Sequence, residues 1–382
     1  MINQPLRIAQ VIGKANLSGV DTVVMEYYRH IDRRRFQFDF IIDGYDETSI
    51  DREVQKLGGR IYKFEPYEQS MVRSVRNWSA LFKENCYHIV HSHLNTLSVF
   101  PLYAAWRAGT PVRIAHNHST AAPGEGKRTI MKYMLRPSAR HFATHYCACS
   151  KLAGKWLFGD SLYDSGKVHL IKNAINIDRF SYSARTRDLV RQEFKFGGKF
   201  VVGHVGRFTY QKNHDFLIEI FQEIYKRNEN AILMLIGAGE LEQAIKQKVK
   251  ALGLNASVLF MGQRTDVSNL MQAMDVFVFP SNYEGLGMVA IEAQAASLRT
   301  IVSEAVPEEA RVTELLEYCS LSQPASVWAE NVLACCGEEN RNEVYCRYQP
   351  DKQLRQAGYD IAEAAGELGK WYGELVLCER SS

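Results

Sequence analysis

Short apolar runs recur along the whole chain: Arg7–Ile12 (RIAQVI), Phe38–Ile42 (FDFII), His88–His91 (HIVH), Val112–Ala115 (VRIA), Val201–Val205 (VVGHV), Ile232–Ile236 (ILMLI), Val258–Met261 (VLFM) and Val276–Phe279 (VFVF). Their apolar residues are nearly continuous rather than strictly alternating, the pattern of strands covered on both faces. Between them lie longer stretches with helical periodicity, such as Asp215–Arg227 (DFLIEIFQEIYKR) and Glu240–Leu252. This alternation predicts an α/β chain of doubly wound parallel sheets with helices on both faces.

The pattern restarts once. After Val168–Ile171 comes a polar stretch, Asn176–Lys195, and a fresh strand–turn–helix opens at Phe200. We place the boundary within residues 178–198 and expect two Rossmann-like domains facing across a cleft. The N-terminal one spans residues 1–180 and the C-terminal one residues 181–358. Residues 359–382 hold a last helix, about Ile361–Leu377, expected to return to the first domain. A length of 382 residues suits two domains at roughly 100–200 residues each. Open sheets of this kind bind ligands beyond the carboxyl ends of their strands, so the turns after the strands are the places to search.

Charge and cysteine usage narrow the function classes. Lys and Arg total 46 against 43 Asp and Glu, a net +3. That balance gives no electrostatic footprint for nucleic acid. The opening MINQPLRIAQVIG lacks the basic-then-apolar pattern of a secretory signal. No apolar run approaches the roughly 18–20 residues that span a bilayer. A cytoplasmic protein is expected. The eight cysteines include Cys147 with Cys149 and Cys335 with Cys336. Neither pair has zinc-knuckle spacing, so reduced thiols are expected.

The segment Pro280-Ser-Asn-Tyr-Glu284-Gly285-Leu286-Gly287-Met288-Val289-Ala-Ile-Glu292 follows a buried strand and runs into an apolar helix. Unpaired backbone N–H groups at such a helix start favour anions. Glu284 and Glu292 border it. Read alone, the segment also suits a glycine-rich turn with two solvated acids. Val205-Gly206-Arg207-Phe208-Thr-Tyr-Gln-Lys212-Asn213-His214 is a second strand end. Its guanidinium and ammonium suit phosphate oxygens, or a solvated surface. Gly237 and Gly239, and Gly262 with Arg264, mark two further strand-end turns. Gly13 to Gly19 opens the first helix without the Gly-x-Gly-x-x-Gly of a dinucleotide site. No Asp-x-Asp triplet is present to hold a magnesium–diphosphate pair.

Four histidines close two strands, His91 with His93 and His116 with His118. Each pair lies at i and i+2, on one side of its strand. Three readings stay open for them: a transition-metal site, polar contacts to a ligand, or ordinary packing.

Together these segments resemble the retaining family 4 glycosyltransferases of GT-B architecture, over about residues 6–376. The Glu284-to-Glu292 segment resembles that family's Glu, seven residues, Glu motif, with Pro-Ser-x-Tyr-Glu-Gly-x-Gly around it. Val-Gly-Arg-Phe…Gln-Lys-Asn213 resembles its donor-phosphate motif. Ile171-Lys-Asn-Ala-Ile-Asn-Ile-Asp178-Arg-Phe180 resembles its entry to the second domain. Ile89-Val-His-Ser-His93 and Arg113-Ile-Ala-His-Asn-His118 resemble strand ends of capsule and exopolysaccharide members.

The resemblance implies that Arg207 and Lys212 neutralise a donor diphosphate, Glu292 accepts from ribose hydroxyls and Glu284 contacts the transferred sugar. It implies that Gly285 to Val289 meet phosphate or sugar oxygens, that Gly262 to Arg264 face the base, and that Gly19 borders the phosphates. A strand-end histidine would touch the donor sugar, His118 first and His116 second. It further implies a UDP-sugar donor, no metal or other cofactor, and a glycan or lipid-linked acceptor of surface-polysaccharide synthesis. Peripheral contact with the inner membrane face goes with such an acceptor, and Lys127–Arg136 is the stretch suited to it. A GT-B nucleotide-sugar epimerase and a non-catalytic sugar-nucleotide-binding protein are the rival readings. The chain departs from the family pattern at Ser18-Gly19-Val20, at Ala296–Thr300 and at Val306-Pro307-Glu308-Glu309.

Overall fold

The computed structural model describes residues 4–15, 19–48, 50–119, 133–335 and 348–380. The basic stretch from Lys127 to Lys132 and Cys336 lie outside them. The chain divides into two compact units, Met1–Ile175 with Gly358–Ser382, and Asn176–Ala357.

The first unit is built on seven strands: β1 (Leu6–Gly13), β2 (Phe36–Asp43), β3 (Arg60–Phe64), β4 (Ile89–Ser92), β5 (Val112–Asn117), β6 (His145–Ala148) and β7 (Val168–Leu170). Their order is β3-β2-β1-β4-β5-β6-β7, parallel throughout. The second unit has six: β8 (Phe200–Val205), β9 (Ala231–Ile236), β10 (Val258–Phe260), β11 (Val276–Phe279), β12 (Arg299–Val302) and β13 (Leu316–Tyr318). They run β10-β9-β8-β11-β12-β13, again parallel. In each sheet the strand order reverses once, between β1 and β4 and between β8 and β11. The carboxyl ends there are where a doubly wound sheet opens a ligand site.

Burial follows the apolar runs. Every residue of β2 and of β11 is buried. One face of the first sheet packs its Ile8, Phe38, Phe40, Ile89 and Ile114 against Val23, Val24 and Tyr27 of the Val20–His30 helix. The same layer contains Ile361, Ala365, Leu368, Tyr372 and Leu375 of the Ile361–Arg380 helix. The C-terminal helix therefore belongs to the core of the first unit. It is led back by a bridge of Ile175 with Asp360, where Ile175 N donates to Tyr359 O at 2.9 Å.

The Ile177–Phe180 helix, expected in the first domain, lies in the second unit. Ile177 and Phe180 are buried there. Arg179 donates to Thr265 O at 2.7 Å and to Ser268 Oγ at 3.3 Å. Among the described residues no helix is long and apolar enough to cross a membrane.

Candidate active site

In the second unit three strand-end turns are knitted together. Gly206 N donates to Ile236 O at 2.9 Å, Phe208 N to Ala238 O at 3.2 Å, and Gly237 N to Gly262 O at 2.9 Å. Approach is close because two positions lack a side chain. A Cβ on Gly237, at φ +144°, would stand 2.1 Å from Gly206 O, and one on Gly239 would stand 2.6 Å from Phe208 O.

The turn after β8 enters a short 3-10 helix, Tyr210–Lys212, tied to the loop after β11. Asn282 N donates to Gln211 O at 2.8 Å and Asn282 Nδ2 to Tyr210 O at 2.7 Å. This brings together two residues far apart in sequence. Lys212 Nζ donates to Glu284 Oε1 at 2.6 Å, and Gln211 Nε2 to Glu284 Oε2 at 3.3 Å. The Glu284 side chain is 6% exposed and that of Lys212 16%. The ammonium also sits 4.5 Å from the centre of the Phe279 ring. Behind it lie His204 and His214, both buried. Burial holds His204 down to about 4, partly offset by the Val278 carbonyl, and Lys212 adds to the depression. Burial, His204 and Lys212 lower His214 further.

Glu284 leads into Leu286 and Gly287, which are buried, and then into the Met288–Ala295 helix. Gly287 caps that helix at φ 80°, ψ 49°, in the left-handed region that glycine tolerates. The cap has no side-chain acceptor, and the amides of Met288 and Val289 donate to no group among the described residues. First-turn amides left in this way are the anion-favouring arrangement expected from sequence. Gly285 and Glu292 are half-buried beside it, and Glu292 has a partner of its own.

Arg207 is exposed on the turn after β8, with no ion pair among the described residues. Arg264 is engaged: its Nε and Nη2 reach the two oxygens of Asp266 at 2.8 and 2.7 Å. Gly262, at φ 65°, shapes the turn below it. In the first unit Gly19 caps the Val20–His30 helix at φ 89°, with open space where a Cβ would be.

The four histidines do not line an open strand end. They are buried in one stack: His91 is 1% exposed, His93 5%, His116 2% and His118 9%. Parallel register makes the stack. Gln10 of β1 stands beside His91 of β4, and His116 lies two residues beyond Ile114, the neighbour of His91 on β5. Ring centres of His91 and His93 are 4.3 Å apart, and those of His116 and His118 4.0 Å. Burial and neighbouring imidazoles hold His91, His93 and His116 well below the usual histidine range. Burial pushes His118 down to about 4, partly offset by the adjacent Asn173.

Nitrogens of His91, His93 and His116 lie within 4.8 Å of one another. Both nitrogens of His91 and of His93 already hold hydrogen bonds within the stack. The His91 ring is stacked on those of His93 and His116 at 20° and 21°, while His93 and His116 are tilted by 42°, and among the described residues no carboxylate joins the trio. The donor set thus fits a hydrogen-bonded cluster better than a divalent cation. A cavity of about 20 Å³ touches the stack.

Residues 186–317 match the family described as Glycosyl transferases group 1, and residues 17–179 the one described as Glycosyltransferase Family 4. The putative glycosyltransferase EpsF of Bacillus subtilis (strain 168) is 34% identical over 372 residues, covering 95% of both chains. This chain belongs to the family 4 glycosyltransferases. A second relative is the UDP-Gal:alpha-D-GlcNAc-diphosphoundecaprenol alpha-1,3-galactosyltransferase of Escherichia coli. It is 27% identical over 316 residues, 78% of this chain and 79% of that one. Among solved structures, Anabaena Alr3699/HepE in complex with UDP and glucose superimposes with a TM-score of 0.80. It is 17% identical and covers 96% of this chain and 99% of its own. Sucrose-phosphate synthase from Thermosynechococcus elongatus gives a TM-score of 0.77 at 17% identity, covering 98% of this chain and all of its own. The glycosyltransferase fold is thus the GT-B one expected.

Gln10 and Tyr372 join the histidine constellation without any local sequence signal, whereas Asn173 and Gln211 lie inside segments that carry the family resemblance. Gln10 and Tyr372 are 362 positions apart, and only the returning helix makes them neighbours.

Proposed function

We propose that this glycosyltransferase moves a sugar from a nucleotide-diphosphate sugar, with UDP-sugar as first choice, to a glycan or lipid-linked acceptor, with retention at the reacting carbon. The relatives support the class of donor and acceptor, since HepE is described with UDP and glucose and the E. coli enzyme by a diphosphoundecaprenol acceptor. The observation carrying the reading is the Lys212–Glu284 contact beside the amide-lined start of the Met288–Ala295 helix.

Cleaving a glycosyl–phosphate bond moves negative charge onto the departing diphosphate. Arg207, Lys212 and the free amides of Met288 and Val289 offer prearranged compensation that strengthens as that charge develops. Glu284 holds Lys212 in place and has a second oxygen for a sugar hydroxyl. It is not assigned as a nucleophile. The acceptor attacks from the face of departure, and its proton passes to the diphosphate. His118 touches the donor sugar, Glu292 the ribose, and the Gly262–Arg264 turn the base. Cations of the chain take the place of a divalent metal. A polysaccharide acceptor on a lipid carrier goes with peripheral contact at the inner face of the membrane.

The test is a thermal-shift panel of nucleotide sugars, followed by transfer with Arg207→Ala, Lys212→Ala and Glu284→Ala and by the anomeric configuration of the product. A cognate donor raises the melting temperature. Loss of one charge-stabilising group is expected to cost about 10²–10³ in rate. Parent-like transfer by all three variants overturns the site, inverted product overturns retention, and abolition by a chelator overturns metal independence.

A further inference from the structure

Acids are nearly missing from one stretch of the chain. Residues 85–159 hold nine Lys and Arg against a single acid, Glu125, a net +8 in a chain of net +3. The same stretch carries Trp106, Tyr133, Met134 and Leu152, four of the eleven large hydrophobic side chains exposed among the described residues. Charge and apolar exposure thus rise together in one fifth of the sequence.

The fold of the first unit gathers these residues on one side. The Val99–Arg107 and Lys151–Phe158 helices lie on the same face of the sheet, where Leu102, Ala105, Leu157 and Phe158 share one apolar layer. Residues 133–142 run from one helix to the other. At one end Tyr133 meets Trp156, ring centres 6.2 Å apart, and Arg136 stands 5.8 Å from the same indole. Leu152 lies one turn before Trp156 on its helix. At the other end Phe142 meets Tyr103 at 5.0 Å and Trp106 at 5.6 Å, and Arg107 stands 5.9 Å from the Tyr103 ring. Between them Arg140 donates to Phe158 O at 3.4 Å. Arg107, Arg136 and Arg140 form no ion pair among the described residues. Lys155 is paired with Asp160 and Asp164 and adds nothing to the free charge.

Three guanidiniums without a counter-charge make this face complementary to anions. Trp106 and Tyr133, each 53% exposed, present an apolar ring with a polar tip, which suits the level of lipid headgroups. Met134, 75% exposed, and Leu152 decide among anionic partners. An aliphatic side chain offers nothing to a nucleic-acid base or phosphate, whereas it gains by entering the acyl boundary of a bilayer. We propose that this face docks the protein on a bilayer rich in anionic lipid, with Trp106, Tyr133 and Met134 as anchors among Arg107, Arg136 and Arg140. The peripheral contact proposed above follows from a lipid-linked acceptor and assigns no such face. Docking here stands on the face itself and holds for any acceptor.

The experiment is flotation of the full chain, without donor or acceptor, on vesicles of phosphatidylglycerol and phosphatidylcholine in equal parts, against phosphatidylcholine alone. The parent is expected to float with the anionic vesicles and not with the neutral ones, and high salt weakens its binding. Arg107→Gln, Arg136→Gln and Arg140→Gln together are expected to weaken binding on the order of 10²-fold. Trp106→Ser with Met134→Ser is expected to weaken it about tenfold at either salt. The melting temperature reports folding, and either folded variant suffices. A parent that does not float with anionic vesicles, or a folded variant that binds like the parent, overturns the proposal. A parent dimer that either variant dissociates also overturns it, because a second copy would then cover the face. Transfer to a lipid-free acceptor is expected to be unchanged in both variants, so failure of docking and failure of the transferase reading are read separately.

Discussion

Lys212 is held by the Glu284 carboxylate at 2.6 Å. The pair is mostly buried, and under the proposed function the same ammonium also faces the donor diphosphate. Breaking a buried pair by removing one partner costs about 3–5 kcal/mol, because the other charge is left uncompensated. Lys212→Met should therefore lower the melting temperature as well as transfer, with kcat/KM down about 10²–10³-fold. A variant with lost transfer and unchanged melting would show that Glu284 has another counter-charge. The histidines make a second residue-scale prediction. Burial depresses His118 to about 4, while the unfolded chain titrates near 6.5. Above about pH 6.5 neither state is charged. Below it the unfolded chain binds the protons that the folded stack refuses, so stability falls as the pH drops from about 6.5 toward 4. His91, His93, His116 and His204 add in the same direction. The urea midpoint should decline steadily between pH 7 and pH 5. A flat midpoint would mean that these rings are not held neutral.

Among the elements, the strand-end turns of the second unit were legible as glycine-bearing turns after apolar runs, but not as one knitted surface. Gly237 and Gly239 looked like ordinary loop glycines. In the fold each marks a backbone-to-backbone approach that a Cβ cannot enter. Gly237→Ala would force Gly206 O outward at 2.1 Å and move the turn that carries Arg207 and Lys212. We expect about 1–3 kcal/mol of lost stability and weaker donor binding, read by melting temperature with and without donor. Gly19→Ala has room for its methyl group but the wrong φ, so a smaller loss of about 1 kcal/mol is expected. Equal losses at the two positions would contradict the close-approach account. The Glu284–Glu292 helix start was the most legible element. A buried strand, a positive-φ glycine and an apolar helix are all local patterns, and its place was read without reference to distant residues.

For the molecule as a whole, the return of the C-terminal helix is decisive. Ile361, Leu368, Tyr372 and Leu375 complete the core of the first unit, each worth about 1.5–3 kcal/mol when buried. A chain ending at Ala357 should lose the first unit's cooperative unfolding and bind hydrophobic dye, while a donor-induced shift of the second unit's transition persists. A full-stability first unit in that truncation would refute the packing. By itself the sequence determined two doubly wound domains, their approximate boundary, the anion-favouring helix start and the basic turn, because strand periodicity, capping and turn chemistry act over a few residues. Only the tertiary structure decided that Lys212 pairs with Glu284, that the histidines are a buried stack rather than an open row, and that Tyr372 closes their chain of hydrogen bonds. Those contacts join residues 72, 25 and 281 positions apart. Local pattern carries no record of such distances, which the order of strands and the returning helix alone establish.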